Sequence, residues 1–119
     1  FDCELDLADG TQRCNCSACR KERVWKAMLP DSSFRLLQGA DQLGDYQFGT
    51  MSGHHRFCRI CGVNTHGHGH IPEIGGDYVS VKLAALDDIS EDELVTAPVR
   101  FMNGRDNDWF HTPPETRYL

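Results

Sequence analysis

The stretch Cys14–Cys19, which reads CNCSAC, and the stretch Cys58–Gly62, which reads CRICG, together decide how this chain folds. Each stretch contains a Cys-x-x-Cys pair, which wraps a tight turn so that two sulfurs converge on one tetrahedral ion at Zn–S distances of about 2.3 Å. Gly62 suits the positive φ that such a turn needs, because glycine has no β-carbon. Two pairs at this spacing predict a metal-binding protein.

Cys14 adds a third thiol to the first pair. Three protein ligands and one open position are typical of a catalytic zinc, whereas four protein ligands make a structural zinc. The spacing alone is compatible with a closed four-cysteine site that joins Cys16 and Cys19 with Cys58 and Cys61. The additional Cys14 is the feature that points to chemistry.

A disulfide framework is the alternative to metal ligation, since six cysteines are an even number. Against it, 119 residues is long for a small disulfide-stabilised scaffold, and the thiols of a Cys-x-Cys segment are poorly placed to bridge each other. No hydrophobic secretory segment precedes the cysteines. A redox dithiol is a third interpretation. Metal ligation is the one we favour, and it predicts a reducing compartment, the cytoplasm.

The length and the charge of the chain exclude several classes of protein. A chain of 119 residues predicts one domain. A net charge of −6 and a pI near 5.4 argue against nucleic acid as a partner. No apolar run approaches the ~18 residues that a membrane span requires, so no membrane partner is expected.

Basic residues nevertheless concentrate around the cysteines, and only Glu22 opposes them there. Cations beside thiols favour the thiolate, which is the form that binds metal, and they attract small anions. These charges therefore either bind an anionic substrate or offset the charge of the metal site. The six residues are Arg13, Arg20, Lys21, Arg23, Arg56 and Arg59.

Short runs of strand-forming residues, separated by glycines, predict antiparallel, mainly β architecture. One short helix is predicted at Ser90–Val95, because Ser90 and Glu93 fit a capping box. The alternation in the first seven residues puts Cys3 on the apolar face of a strand, where core packing is its expected role. The predicted strands are 1–7, 24–29, 34–37, 45–48, 54–57, 65–71 and 78–83.

Two further groups of polar residues are candidates for a site. His66, His68 and His70 alternate with glycines, so in a strand their imidazoles share one face, as pocket-lining groups or as ligands. Three histidines spread over ~13 Å of strand cannot all reach one ion without bending. The alternative is structural, because Gly67 and Gly69 also fit a close backbone approach to a neighbouring strand. Asn15 and Ser17 lie inside the first cluster, where they can hydrogen-bond a substrate or a metal-bound water.

The segments 13–21, RCNCSACRK, and 54–63, HHRFCRICGV, resemble the glutathione-dependent formaldehyde-activating enzyme family, which also contains centromere protein V. The similarity continues through GDYV at 76–79, LDD at 86–88, DNDW at 106–109 and PETR at 114–117. This resemblance implies a β-tent fold, with antiparallel sheets built around zinc, in a single zinc-binding domain over residues 1–119.

The resemblance also implies the role of each cysteine. Cys14, Cys16 and Cys19 match the motif that holds the catalytic zinc, with the fourth position left for a substrate thiol or water. Cys58 and Cys61 match half of a structural zinc site. In the family, a Cys-x-Cys-Gly motif upstream of the first strand completes that site. The motif would fall before Phe1, so either an N-terminal segment is missing from the sequence, which is the alternative we favour, or the chain departs from the family and does not complete the second zinc site.

Members of the family are described as carbon–sulfur lyases that act on an adduct of glutathione and formaldehyde. The resemblance therefore implies a zinc-dependent lyase whose partner is glutathione or another small thiol. The alternative from a different class is a non-catalytic, zinc-stabilised binding module.

Overall fold

The computed structural model describes residues 1–119 and consists mainly of short β-strands, with two short α-helices. The strands are β1 Asp2–Cys3, β2 Thr11–Cys14, β3 Trp25–Pro30, β4 Phe34–Arg35, β5 Leu43–Tyr46, β6 His54–Cys58, β7 Asn64–Ile71, β8 Gly76–Lys82 and β9 Val99–Met102. The helices are α1 Ser17–Glu22 and α2 Glu91–Thr96.

The chain divides into two compact units. Unit 1 comprises residues 1–5 and 28–86, and unit 2 comprises residues 6–27 and 87–119. In unit 1, strands β5, β6, β7 and β8 pair in chain order, and each pair is antiparallel. The two-residue strands β1 and β4 form a second antiparallel pair. Consecutive strands that pair with their neighbours are what the glycine-punctuated sequence predicted.

The core of unit 1 forms along one face of β8. Val79 and Val81 are 2% and 0% exposed, and they lie on the same face because side chains alternate along a strand. Phe1, Cys3 and Leu5 pack against them. The predicted alternation at the start of the chain is therefore confirmed for these three residues, and so is the core role of Cys3.

Unit 2 contains strand β2, which has a partner strand on each side. Strand β2 pairs antiparallel with β3 and parallel with β9, where Thr11 lies opposite Val99 and Cys14 lies opposite Met102. Its hydrophobic cluster contains Cys14, Cys19 and Val24, with Met102 packed against them. The cysteine cluster therefore lies in the core of this unit.

The mainly β class is confirmed, with two differences. The β2–β9 pair is parallel, so the strands are not all antiparallel. There are two helices instead of one. The predicted helix is α2, and both hydrogen bonds of the Ser90–Glu93 capping box are present. Helix α1 was not predicted, because six residues are too few to show a helical period.

No helix of the structure is long and apolar enough to span a membrane.

Candidate functional site

The first cysteine cluster forms where strand β2 ends and helix α1 begins. Cys14 is the last residue of β2, Cys16 is the N-cap of α1, and Cys19 lies in the first turns of that helix. The three Sγ atoms all lie within 4.8 Å of one another. Cys14 and Cys19 are only 5% and 8% exposed. A strand end, an extended N-cap and one helical turn thus bring three thiols to one point.

Hydrogen bonds inside the cluster shift the pKa values of Cys16 and Cys19 in opposite directions. The thiols of Cys14 and Cys19 lower the pKa of Cys16, with help from the backbone N–H groups of Cys19 and Ala18. The pKa of Cys19 is raised, because its hydrogen bonds to Cys14 and Cys16 and its burial favour the protonated form. The N–H of Cys16 also donates to Cys14 Sγ over 3.4 Å. These hydrogen bonds therefore favour the thiolate form at Cys16 over the thiolate form at Cys19.

The cluster fits a tetrahedral metal ion. Sulfurs bound to one zinc at about 2.3 Å lie about 3.8 Å apart. The separations here are no more than 4.8 Å, so a shift of about 1 Å or less brings all three into ligand range. Thiolates are the ligands that zinc prefers in such sites. Cys14, Cys16 and Cys19, predicted as one ligand set, are brought together by the fold.

A cationic cleft adjoins this cluster. Arg13, Arg20 and Arg23 line it together with Cys14, Cys19, Val24 and Leu119. None of the three guanidinium groups forms a salt bridge to a carboxylate. Arg13 lies over the Trp25 ring at 4.7 Å, and Arg23 Nη1 donates to the Tyr118 carbonyl oxygen at 2.6 Å. Three positive charges therefore lie near the buried thiols, where they can attract an anion to the surface beside them.

The other predicted basic residues have different surroundings. Arg56 lies in unit 1 and forms a 3.8 Å ion pair with Asp45. Arg59 is exposed beside the second cysteine pair, and Lys21 is exposed on α1 without lining the cleft. The basic set that the sequence grouped together therefore divides between the two units, and three of its members line the cleft.

The second cysteine pair forms a turn in unit 1. The Gly62 N–H donates to the Cys58 carbonyl at 2.8 Å, and the Cys58 N–H donates to the Val63 carbonyl at 2.9 Å. Gly62 has φ 80°, as its position after the pair predicted. The N–H groups of Cys61 and Ile60 lower the pKa of Cys58. Cys58 is half-buried and Cys61 is exposed, so this pair lies at the surface.

All six cysteines are free thiols.

The three histidines of strand β7 do not converge on one ion. His66 is 5% exposed and packs against Phe34, with ring centroids 4.6 Å apart, and burial lowers its pKa to about 4. His68 stacks on His54 at 4.5 Å. His70 Nδ1 lies 2.6 Å from a carboxylate oxygen of Asp77 at the surface. Each imidazole thus has its own partner, and the ligand role is not supported.

Asn15 faces the protein and not a substrate. It is 2% exposed, and its amide donates to Asn103 Oδ1 at 2.6 Å and accepts from the Arg105 N–H at 2.9 Å. Ser17 is exposed on α1. The sequence therefore placed Asn15 correctly beside the cluster but gave it the wrong partner. The residues that it binds follow β9, and only the Asn103-Gly104 turn signal marked them in the sequence.

Comparisons with known proteins agree with the resemblance. The model of the family described as glutathione-dependent formaldehyde-activating enzyme matches residues 3–102. The tail segments at 106–109 and 114–117 fall outside that match. A crystal structure of a protein from Rhodobacter sphaeroides is 33% identical in sequence and superposes with a TM-score of 0.65. That alignment covers 83% of this chain and 87% of the other chain.

Proposed function

This chain belongs to the glutathione-dependent formaldehyde-activating enzyme family, and from that premise we propose that it is a zinc-dependent carbon–sulfur lyase. Its substrate would be an adduct of glutathione, or of another small thiol, with formaldehyde or a related aldehyde. The observation that carries the proposal is the group of three thiols within 4.8 Å of one another beside a cleft lined by three arginines. The reducing cytoplasm is the compartment in which such thiols stay free.

Cys14, Cys16 and Cys19 would hold the catalytic zinc and leave its fourth position open. When bound there, zinc supplies a Lewis acid that polarises oxygen and stabilises a thiolate. The lowered pKa of Cys16 supports this role, because the thiolate is the form of cysteine that binds metal. Burial of Cys14 and Cys19 keeps bulk water away from the ligands. Cys58 and Cys61 would supply two ligands of a structural zinc, whose other ligands come from elsewhere.

The reaction needs a thiol and an aldehyde to meet, and its balance is simple. In one direction a thiolate sulfur bonds to the carbonyl carbon and the oxygen gains a proton. In the other direction the hydroxyl loses its proton and the carbon–sulfur bond breaks. Arg13, Arg20 and Arg23 would hold the carboxylates of the thiol, since no carboxylate of the chain pairs with them. These residues bind and orient, which accounts for a large part of such catalysis.

The β-tent arrangement is part of the proposal. Both cysteine groups follow the ends of strands, Cys14 at the end of β2 and Cys58 at the end of β6. This placement supports sheets that are organised around metal sites.

The test uses zinc-loaded protein with glutathione and then with its formaldehyde adduct. We expect heat of binding in a calorimetric titration with glutathione, and turnover of the adduct above the uncatalysed rate. Cys16→Ser should abolish both. Elemental analysis that finds iron, or less than one zinc per chain, would refute the metal assignment. Zinc-loaded protein that gives neither heat nor turnover would indicate the non-catalytic binding module instead.

A further inference from the structure

The segment Asn103–Trp109, called the tail loop below, approaches the first cysteine cluster directly. It follows strand β9, whose last residue Met102 lies opposite Cys14 in the parallel ladder. The Asn15 N–H donates to the Met102 carbonyl at 3.1 Å, which extends that ladder by one residue. The backbone at Cys14 and Asn15 is thus held beside Met102, the residue that precedes the tail loop.

Asn15 fastens the tail loop to the cluster by its side chain. Its amide nitrogen donates to Asn103 Oδ1, and its amide oxygen accepts from the Arg105 N–H. Asn15 is 2% exposed and Asn103 is 7% exposed, so these bonds are shielded from water. A buried amide that loses its hydrogen-bond partners is destabilising, which favours a single arrangement of the loop.

The tail loop is also braced internally. Asn103 Nδ2 donates to Asp106 Oδ2 at 3.0 Å, and the Asp108 N–H donates to the Asn103 carbonyl at 3.1 Å. Trp109 Nε1 donates to Asn107 Oδ1 at 2.9 Å. These bonds hold the loop in one shape, so that its position relative to Cys14 is defined.

Gly104 is where the loop meets the sulfur. A β-carbon at this position would lie 2.7 Å from Cys14 Sγ and 2.7 Å from the Trp109 ring. Gly104 has no positive φ, so its backbone conformation is open to any residue. Glycine at position 104 is therefore required because a β-carbon would collide with Cys14 Sγ and Trp109, and not because of its backbone conformation.

We propose that the tail loop positions Cys14 Sγ for metal ligation and that Gly104 leaves the room the sulfur needs. Gly104 and Asn15 are then positioning residues, because they act through Cys14. The inference rests on the proposed metal site. It adds that the tail loop, which is distant in the sequence, packs against one of the metal ligands. Residues that orient metal ligands typically change metal affinity about 10- to 100-fold when they are replaced.

The test is Gly104→Ala, compared with Gly53→Ala. A β-carbon at Gly53 would have His55 Nε2 as its nearest neighbour, at 3.8 Å, which is ordinary contact. Zinc affinity is measured by competition with a chromophoric chelator. We expect Gly104→Ala to weaken zinc binding by about 10-fold or more and Gly53→Ala to leave it unchanged.

A second readout isolates Cys14 without using activity. Zinc-loaded protein is alkylated, and the tryptic peptide 14–20 is sequenced by mass spectrometry to locate the label. In the wild type we expect zinc to protect Cys14, Cys16 and Cys19. In Gly104→Ala we expect Cys14 to become labelled while the other two remain protected. A loop with a purely structural role would not single out Cys14.

The outcomes separate the inference from the proposed function. Absence of zinc protection in the wild type would refute the metal site itself. Protection in the wild type, with Cys14 equally protected in Gly104→Ala, would refute the role of the tail loop. If circular dichroism shows that Gly104→Ala is unfolded, Asn15→Ala decides, since it removes both side-chain bonds to the loop and adds no atoms. Unchanged affinity and labelling in Asn15→Ala would then overturn the inference.

Discussion

The two cysteine groups use the same Cys-x-x-Cys spacing in different surroundings. In unit 2, Cys14 and Cys19 are nearly buried, and the cluster lies between a strand, a helix and the tail loop. In unit 1, Cys58 is half-buried and Cys61 is exposed, in a turn held by backbone hydrogen bonds. Spacing alone therefore does not set the role of such a pair. The number of thiols, their burial and the charges nearby differ, and these are the properties that chemistry depends on.

The largest effect should come from the pair at the surface, Cys58 and Cys61. In zinc-loaded protein that contains the partner ligands of Cys58 and Cys61, replacement of Cys58 by Ser should lower the Tm by more than about 15 °C, since 1 kcal/mol shifts the Tm of a small domain by about 4 °C or more. Structural zinc contributes about 10–16 kcal/mol of apparent binding free energy, which compares with a domain's whole net stability of about 5–15 kcal/mol. Differential scanning calorimetry measures the shift. Cys19→Ser, the matched replacement in the other group, should shift the Tm by less than half as much. Equal shifts would instead indicate one closed four-cysteine site.

The second effect concerns metal affinity at the buried cluster. Cys19→Ser should weaken zinc binding there by roughly 10²- to 10³-fold, because one position of a four-coordinate ion corresponds to about a quarter of the 10–16 kcal/mol above and every 1.4 kcal/mol is tenfold. Chelator competition gives the dissociation constant. Cys3→Ser is the control, since Cys3 packs in the core of unit 1. A Cys19→Ser variant with unchanged zinc affinity would show that the cluster is not a ligand set.

A third prediction concerns unit 1 and the dependence of its stability on pH. The pKa of His66 is about 4 in the fold, below its ordinary value of 6.5, because the ring is buried. Between pH 6.5 and pH 4 the unfolded chain therefore binds a proton that the folded chain does not. Stability should fall by up to about 3 kcal/mol as the pH falls through that window, since each pKa unit corresponds to about 1.36 kcal/mol.

Urea unfolding at several pH values measures this loss. His66→Gln should show a smaller dependence on pH, whereas His70→Gln, which changes an exposed histidine of the same strand, should behave as the wild type. An identical pH dependence in His66→Gln and the wild type would exclude His66 as the titrating group.

The smallest effect should come from the cationic cleft. Arg20→Gln should weaken glutathione binding about 2- to 5-fold, since exposed charge pairs contribute about 0.2–1 kcal/mol. Lys21→Gln removes the same charge from the same helix but not from the cleft, so it should change binding less. Wild-type affinity should also fall with added salt, which screens charges over ~8–10 Å. Calorimetry at two salt concentrations gives both results, and equal affinities for the two variants would remove the cleft from the site.

Features that depend on neighbouring residues could be predicted from the sequence. The capping box of Ser90 and Glu93 spans one helical turn, and the apolar alternation of Phe1, Cys3 and Leu5 needs only a strand. The three thiols of the first cluster also lie within six residues. In each of these cases the sequence spacing itself sets the geometry.

Features that depend on residues far apart in the sequence could not be predicted from the sequence. Strand β9 pairs with β2 across a gap of 88 positions, from Thr11 to Val99. Asn15 finds its partner Asn103 over the same separation. Nothing in either segment encodes the register of the other. The burial of Asn15, and with it the change from a substrate contact to a structural contact, follows only when the two segments meet.

The parallel pairing of β2 with β9 has a consequence for how the protein is made. The thiols leave the ribosome before the tail loop, because Asn103 is 88 residues further along the chain than Asn15. At about 5–20 residues per second, the delay is roughly 4–18 s. During that interval the cysteine cluster is not covered by the tail loop. Contacts between residues so far apart in the sequence form late in folding. If the cluster holds a metal as proposed, loading would therefore depend on timing in the cell, since thiols without the tail loop are open to oxidation and to other metal ions.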